Sequence, residues 1–169
     1  TLTGSYDALA TVTVPSGGAS SITFSAIPQT GYKHLQLRGI ARGTSTLARA
    51  SLLINGASQT NNHYLGGSGA SAFAGGGGSN DCAIIPTSSQ LGNTFGAFII
   101  DVLDYANPNK NITFRSLGGM DINGSGGYAI MYSGFWNTLS PATSITLSGG
   151  SVGSGNFDQF SQFSLYGVK

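Results

Sequence analysis

Residues 95–117 read Phe95-Gly96-Ala97-Phe98-Ile99-Ile100-Asp101-Val102-Leu103-Asp104-Tyr105, then Ala106-Asn107-Pro108-Asn109-Lys110-Asn111, then Ile112-Thr113-Phe114-Arg115-Ser116-Leu117. The first run is short, flanked by Gly and rich in β-branched and aromatic residues, so it reads as a strand buried over much of its length. Asn107-Pro108-Asn109 supplies the turn. The second run sets Ile112, Phe114 and Ser116 against Thr113, Arg115 and Leu117, a period of two with one largely apolar face and one mixed face. Together they form a hairpin or close strand pair. A hairpin alone is marginal in water, so the rest of the chain has to cover it.

Outward from this pair the same short alternation recurs. Strands are predicted at Leu9 to Val14, Ser21 to Ser25, Tyr32 to Arg42, Arg49 to Ile54, Cys82 to Ile85, Tyr128 to Phe135, Ser144 to Leu147 and Gln162 to Val168, separated by Pro and Gly turn signals. Along Tyr32 to Arg42, the residues Leu35, Leu37, Gly39 and Ala41 face the core, while His34, Gln36, Arg38, Ile40 and Arg42 face water or a partner. Asn55-Gly56 is the strongest hairpin signal in the chain and turns a strand back after Ile54. Residues 57–81 hold Asn61-Asn62-His63-Tyr64, Gly66-Gly67 and a Gly run from Gly75 to Gly78 without periodicity, and read as a long Gly-rich loop of the kind that serves function or contacts. Gly118 to Gly127 reads as a second Gly-rich link.

These strands and the lack of an amphipathic helix predict an all-β protein. The expected form is a single domain, residues 1–169, folded as a β-sandwich of jelly-roll type with eight to ten short antiparallel strands. The terminal strand should be locked into a sheet. An immunoglobulin-like sandwich is disfavoured by length and by the absence of paired cysteines.

Composition bounds the function. Charged residues make up 8% of the chain and Glu is absent, where about 25% charged is ordinary. A net charge of +1 provides no field to gather nucleic acid, anionic lipid or an acidic substrate. So few charges leave strand edges and faces poorly defended against association, which suits a molecule packed among neighbours. Cys82 is the sole cysteine, which excludes an intrachain disulfide and a Cys-based metal site. No apolar run is long enough to span a membrane as a helix, and no signal peptide is visible. Thr1 fits a chain whose initiator Met was removed, so an entire gene product is expected.

The supply of catalytic groups is thin. Asp101 and Asp104 lie three apart in a strand, on opposite faces, a poor arrangement for a two-carboxylate glycosidase; pairing with Arg115 or Lys110 is the simpler expectation. His34 and His63 lack a nucleophile elbow. Asp121-Ile122-Asn123-Gly124-Ser125 opens like a calcium loop but lacks the distal bidentate Glu. Cys82 reads as a small buried hydrophobe. No catalytic residue, metal or cofactor is assigned, and the chain is not expected to be an enzyme.

Aromatic residues are the better lead. Tyr128, Tyr132, Phe135 and Trp136 cluster near one strand end, with Tyr64 in the Gly-rich segment; such rings serve as a sugar-stacking platform, an interface anchor or core. Arg38, Arg42 and Arg49, if they share an outer face, would dock carboxylates or carbonyls of a neighbouring protein.

Several phrases run together as a signature: Ser5-Tyr6-Asp7-Ala8-Leu9-Ala10-Thr11-Val12, Gly18-Ala19-Ser20-Ser21-Ile22-Thr23-Phe24-Ser25-Ala26-Ile27-Pro28, Tyr32-Lys33-His34-Leu35-Gln36-Leu37-Arg38, Asp101-Val102-Leu103-Asp104-Tyr105-Ala106 with Asn109-Lys110, Gly134-Phe135-Trp136 and Phe163-Ser164-Leu165-Tyr166-Gly167. With these the chain resembles, over nearly its whole length, the small β-rich virion proteins of tailed bacteriophages. The resemblance implies a component of the particle surface, made in the host cytoplasm: a capsid decoration (cement) protein that sits as a homotrimer over the lattice and ties the major capsid protein or other virion proteins together. A tail-fibre or receptor-binding module recognising a host surface glycan is the alternative it leaves open. Neither nucleic acid nor membrane is an expected partner.

Overall fold

A computed structural model describes residues 4–45, 49–122, 126–149 and 155–169. The protein is all-β. The described residues form twelve strands: β1 (Tyr6–Thr13), β2 (Ser21–Phe24), β3 (His34–Ala41), β4 (Arg49–Ile54), β5 (Asn61–Ser68), β6 (Ser71–Gly77), β7 (Asp81–Ile84), β8 (Gly96–Leu103), β9 (Ile112–Asp121), β10 (Gly127–Trp136), β11 (Ile145–Gly149) and β12 (Gln162–Val168). They make two antiparallel sheets, ordered β1-β12-β3-β8-β9-β10-β5-β6 and β2-β11-β4-β7. Without β5, β6, β9 and β10 each sheet would hold four strands, β1-β12-β3-β8 and β2-β11-β4-β7. The two added pairs widen one sheet only.

The predicted central pair is β8 and β9, with Asp101 opposite Arg115 and Val102 opposite Phe114. Alternation decides what each face does. Phe98, Ile100 and Val102 of β8, Ile112 and Phe114 of β9, Ile130 and Trp136 of β10, and Leu35 and Leu37 of β3 turn inward and are buried. They meet Ile22, Phe24, Leu52, Ile54, Ile145 and Leu147 of the smaller sheet in one core cluster. Each such side chain contributes roughly 1.5–3 kcal/mol on burial. The C-terminal strand β12 is held between β1 and β3, as expected.

Three sequence expectations need correction. The segment 57–81 is no loop: β5 and β6 form a hairpin with Tyr64 opposite Gly75 and Phe73 opposite Gly66. A Cβ on Gly66 would come within 2.6 Å of the Phe73 ring, and one on Gly75 within 2.5 Å of the Tyr64 hydroxyl. The glycines are the beds on which aromatic rings of the adjacent strand lie. Gly118 and Gly119 belong to β9, Gly118 opposite Phe98 and Gly119 opposite Ala97. There a Cβ would meet the Phe98 Cβ at 2.9 Å and the Tyr128 carbonyl at 2.8 Å respectively, so close strand approach is what calls for glycine. Asn55-Gly56 does make a tight turn, with φ of 51° and 74° and Ile54 bridged to Ala57. The following strand, however, joins the other sheet beside β10 instead of pairing back on β4. The Asn55 side chain fixes this exit by accepting hydrogen bonds from the amides of Thr143 and Ser144.

Candidate functional site

Two surfaces gather side chains with binding character. The first is a cleft of about 450 Å3 where the β5–β6 hairpin extends the large sheet past the small one. Tyr64, Phe73 and Tyr128 form an aromatic wall, with ring centroids 6.2 Å apart for Tyr64 and Phe73 and 6.2 Å for Phe73 and Tyr128. Tyr132 lies 5.8 Å from Tyr64. Met120, Ile130 and Ile84 line the cleft deeper down, and Arg49, Thr87, Ser89 and Gln90 also line it. Arg49 donates from Nη1 to Oδ2 of the buried Asp81 at 2.6 Å, so its charge is already balanced. Tyr132 is 2% exposed, and burial pushes its phenol well above the ordinary range. It therefore stays protonated, both donor and acceptor. Among the described residues the hydroxyls of Tyr64, Tyr128 and Tyr132 make no hydrogen bond.

The second surface is the outer face of the large sheet. Register places Ile99 beside Leu117, Leu117 beside Met131 and Met131 beside Leu65. All four point outward, with exposures between 43 and 59%. This row ends at Arg38, the partner of Ile99 across β3 and β8. The Arg38 guanidinium lies 4.7 Å from the ring centre of Tyr166 and 5.4 Å from that of Tyr6. One border of the row is a hydrogen-bonded chain: Arg38 donates to Gln36, Gln36 to Asp101, and Arg115 to Asp101. The other border is nearly bare backbone, where Ala97, Gly119, Ala129 and Gly67 face each other across the strands.

No protein-family model and no curated protein matches this chain. Its chemistry is therefore read from the two surfaces alone.

The structure divides the predicted site residues. Tyr64, Tyr128 and Tyr132 converge in the cleft. Trp136 does not: it is 1% exposed, packs 5.5 Å from Phe114 and donates from Nε1 to the Ala57 carbonyl. Phe135 lies on the opposite side of β10, half-buried, because adjacent residues of a strand face opposite ways. The three arginines share no face. Arg38 is outward, Arg49 sits at the cleft, and Arg42 is buried, donating to the carbonyls of Gln90, Leu91 and Thr94. Chain parity predicted an outward Arg42, but β3 ends at Ala41 and the turn at 90–94 folds over the side chain.

Asp101 of β8 pairs with Arg115 at 3.1 Å, and Asp104 pairs with Lys110 at 2.6 Å. The two do not share a strand as expected, because β8 ends at Leu103 and Asp104 opens the turn with φ of 48°. The Lys110 ammonium holds the Asp104 carboxyl below its ordinary range. Cys82 is buried and donates to the Ala50 carbonyl, and burial pushes its thiol up, as a small core residue should be. Among the described residues no three His, Cys or Asp side chains gather for a metal ion; positions 123–125 of the calcium-loop phrase lie outside the described residues.

Sequence reasoning missed Phe73 and the outer row. Phe73 was hidden by its glycine neighbours. The row had a signal: Ile99, Leu117 and Met131 are large apolar residues at the outward parity of three successive strands.

Proposed function

We propose that this chain is a structural protein of a bacteriophage particle, a capsid decoration (cement) protein that acts as a homotrimer and ties neighbouring shell subunits together. The observation that carries the reading is the exposed apolar row Ile99–Leu117–Met131–Leu65 with the Arg38–Tyr6–Tyr166 stack at its end. Tyr and Arg anchors beside exposed aliphatic side chains are what protein interfaces use at their energetic centres. The five strands from β3 to β5 present a face about 24 Å wide at ~4.8 Å per strand and about 25 Å long. That is roughly 600 Å2 of projected area, close to the ~800 Å2 each partner contributes to a standard interface. Asp101 and Arg115 are paired with each other. Among the described residues this leaves the Arg38 guanidinium, stacked on Tyr166 and Tyr6, as the one cation of the face that could meet a partner's carbonyl or carboxylate.

The sheet orders β1-β12-β3-β8 and β2-β11-β4-β7 support a jelly-roll reading of the framework, with β5, β6, β9 and β10 as insertions. The insertions also supply three of the four residues of the outer row, Leu117, Met131 and Leu65. Binding only to the assembled shell would stabilise that shell by mass action.

The test is co-sedimentation with shells stripped of decoration, together with sedimentation of the free protein at micromolar concentration. The wild-type chain is expected to run as a trimer and to bind. A double variant Leu117→Asp, Met131→Asp is expected to keep its β circular dichroism and lose the shells. A monomer that ignores shells removes the proposal. The alternative reading, a receptor-binding module, draws on the aromatic cleft.

A further inference from the structure

We infer that the cleft between the β5–β6 hairpin and the 84–90 segment is a binding site for a neutral carbohydrate, holding one or two pyranose rings. The inference stands apart from shell binding, because the cleft lies on the inner face of the large sheet and the docking row on the outer one.

The cleft joins two kinds of surface. Tyr64, Phe73 and Tyr128 are partly exposed rings, and a pyranose presents an apolar patch of C–H groups that lies against such rings. The phenols of Tyr64, Tyr128 and Tyr132 both donate and accept. Beside them the Thr87 and Ser89 hydroxyls bond each other and Gln90 Oε1 accepts from the Thr87 amide, which fixes these groups and leaves the Gln90 amide nitrogen and the remaining hydroxyl valences for a ligand. The rim of a sugar needs partners of this kind. A volume of about 450 Å3 falls within the roughly 300–1,000 Å3 of small-molecule sites.

Tyr132 is the sharpest indicator. Its ring is buried, at 2% exposure for the residue, and its hydroxyl makes no hydrogen bond among the described residues. The oxygen is not one of the fully enclosed unpaired atoms, so the residue's small remaining exposure is at the cleft it lines, where a phenol in such surroundings normally finds a partner. Its hydroxyl contributes nothing to the protein's own polar network. A ligand hydroxyl satisfies it.

Charge selects the class of sugar. The cation of the cleft, Arg49, is bound to Asp81 at 2.6 Å, so a uronic or sialic acid would have to compete with a carboxylate already in place. A neutral hexose or N-acetylhexosamine meets no such competition. The two glycine beds, Gly66 and Gly75, fix the rings before any ligand arrives, which lowers the entropy lost on binding.

The test is saturation-transfer NMR and titration calorimetry on the full chain, with methyl glycosides and disaccharides of glucose, galactose, mannose and N-acetylglucosamine, and with glucuronic and sialic acid as the acidic arm. A neutral sugar is expected to bind with saturation strongest on its C–H face. Tyr128→Ala should weaken it at least 10-fold. Tyr132→Phe should weaken it 3- to 10-fold while leaving the urea midpoint unchanged, since the lost hydroxyl bonds nothing in the free protein; a purely structural Tyr132 would not give that split. Leu139→Ser, an exposed control, should bind as wild type. No binding by any neutral sugar up to 20 mM, tighter binding of the acidic arm, or binding untouched by Tyr128→Ala and Tyr132→Phe in folded protein would each overturn the inference.

Discussion

Replacing Arg42 tests whether the 87–95 segment is held by one buried side chain. Arg42 donates from Nη1 to the carbonyls of Leu91 at 2.7 Å and Thr94 at 3.2 Å, and from Nη2 to that of Gln90 at 3.1 Å. Its Nε lies 3.6 Å from Asp158 Oδ2. Hydrogen bonds to a charged group are worth about 1.5–3 kcal/mol each, which puts three at roughly 5–9 kcal/mol if all were lost without compensation. They would not be. Leu91, Gly92 and Asn93 are exposed, so water reaches the freed carbonyls, while the ~7% exposed arginine stem leaves a hole behind. The net expectation for Arg42→Met is a loss of about 2–4 kcal/mol.

Arg42→Lys separates fork from charge. A compact ammonium cannot reach three carbonyls in one plane and is harder to desolvate, so Lys should recover less than half of the loss. Two readouts locate the effect. Urea unfolding followed by the fluorescence of Trp136, the single tryptophan, reports global stability. Amide exchange at Gly43 and Gln90, which donate to Pro86 and Thr87, reports local opening. If the segment opens alone, those amides exchange about 30- to 1,000-fold faster, the equivalent of the same 2–4 kcal/mol. A lysine variant within 0.5 kcal/mol of wild type, with both amides still protected, would refute the account.

Close approach at glycine should be equally measurable. A Cβ at Gly134 would sit 2.5 Å from the Phe114 ring and 2.8 Å from the Asn61 carbonyl, so Gly134→Ala should cost about 1–3 kcal/mol by overpacking, whereas Gly92→Ala, with nothing within 4 Å, should move the urea midpoint little. The chain ends are clasped by Lys169 and Tyr32 on Asp7, and the Lys169 hydrogen bond, then that of Tyr32, hold the Asp7 carboxyl below its ordinary value. Because the folded pKa is depressed, this contribution is complete above the unfolded value of about 3.9 and disappears as pH falls through the folded one. The Lys169→Met variant should differ from wild type at pH 6 and converge with it at the acid end of a stability titration; a constant difference would contradict the clasp.

Local alternation was enough to place most of the strands. A period of two fixes which residues share a face whatever lies across from them, so β3, β8, β10 and β12 and the inward turn of Leu35 and Leu37 follow from the chain alone, as does the all-β class. The strand β8, read from its apolar run as buried over much of its length, buries alternate residues only and leaves Ile99 outside. The Asn107-Pro108-Asn109 turn is local for the same reason. Composition likewise indicated a surface with little charge to repel neighbours.

Tertiary structure decided what depended on partners distant in sequence. Glycine carries no side chain and therefore no periodicity, so β5, β6 and the end of β9 became visible only in their pairing, with Phe73 across Gly66, Tyr64 across Gly75 and β8 closing on Gly118. Parity pointed Arg42 outward, and only the 90–94 turn folding over it made it a buried clamp. Trp136, Phe135 and Tyr132 sit together in the chain, but the sheet sends them to core, outer face and cleft. Strand pattern is a property of neighbours along the backbone, whereas a binding surface is made by residues that meet across it, and those meetings are set by sheet order.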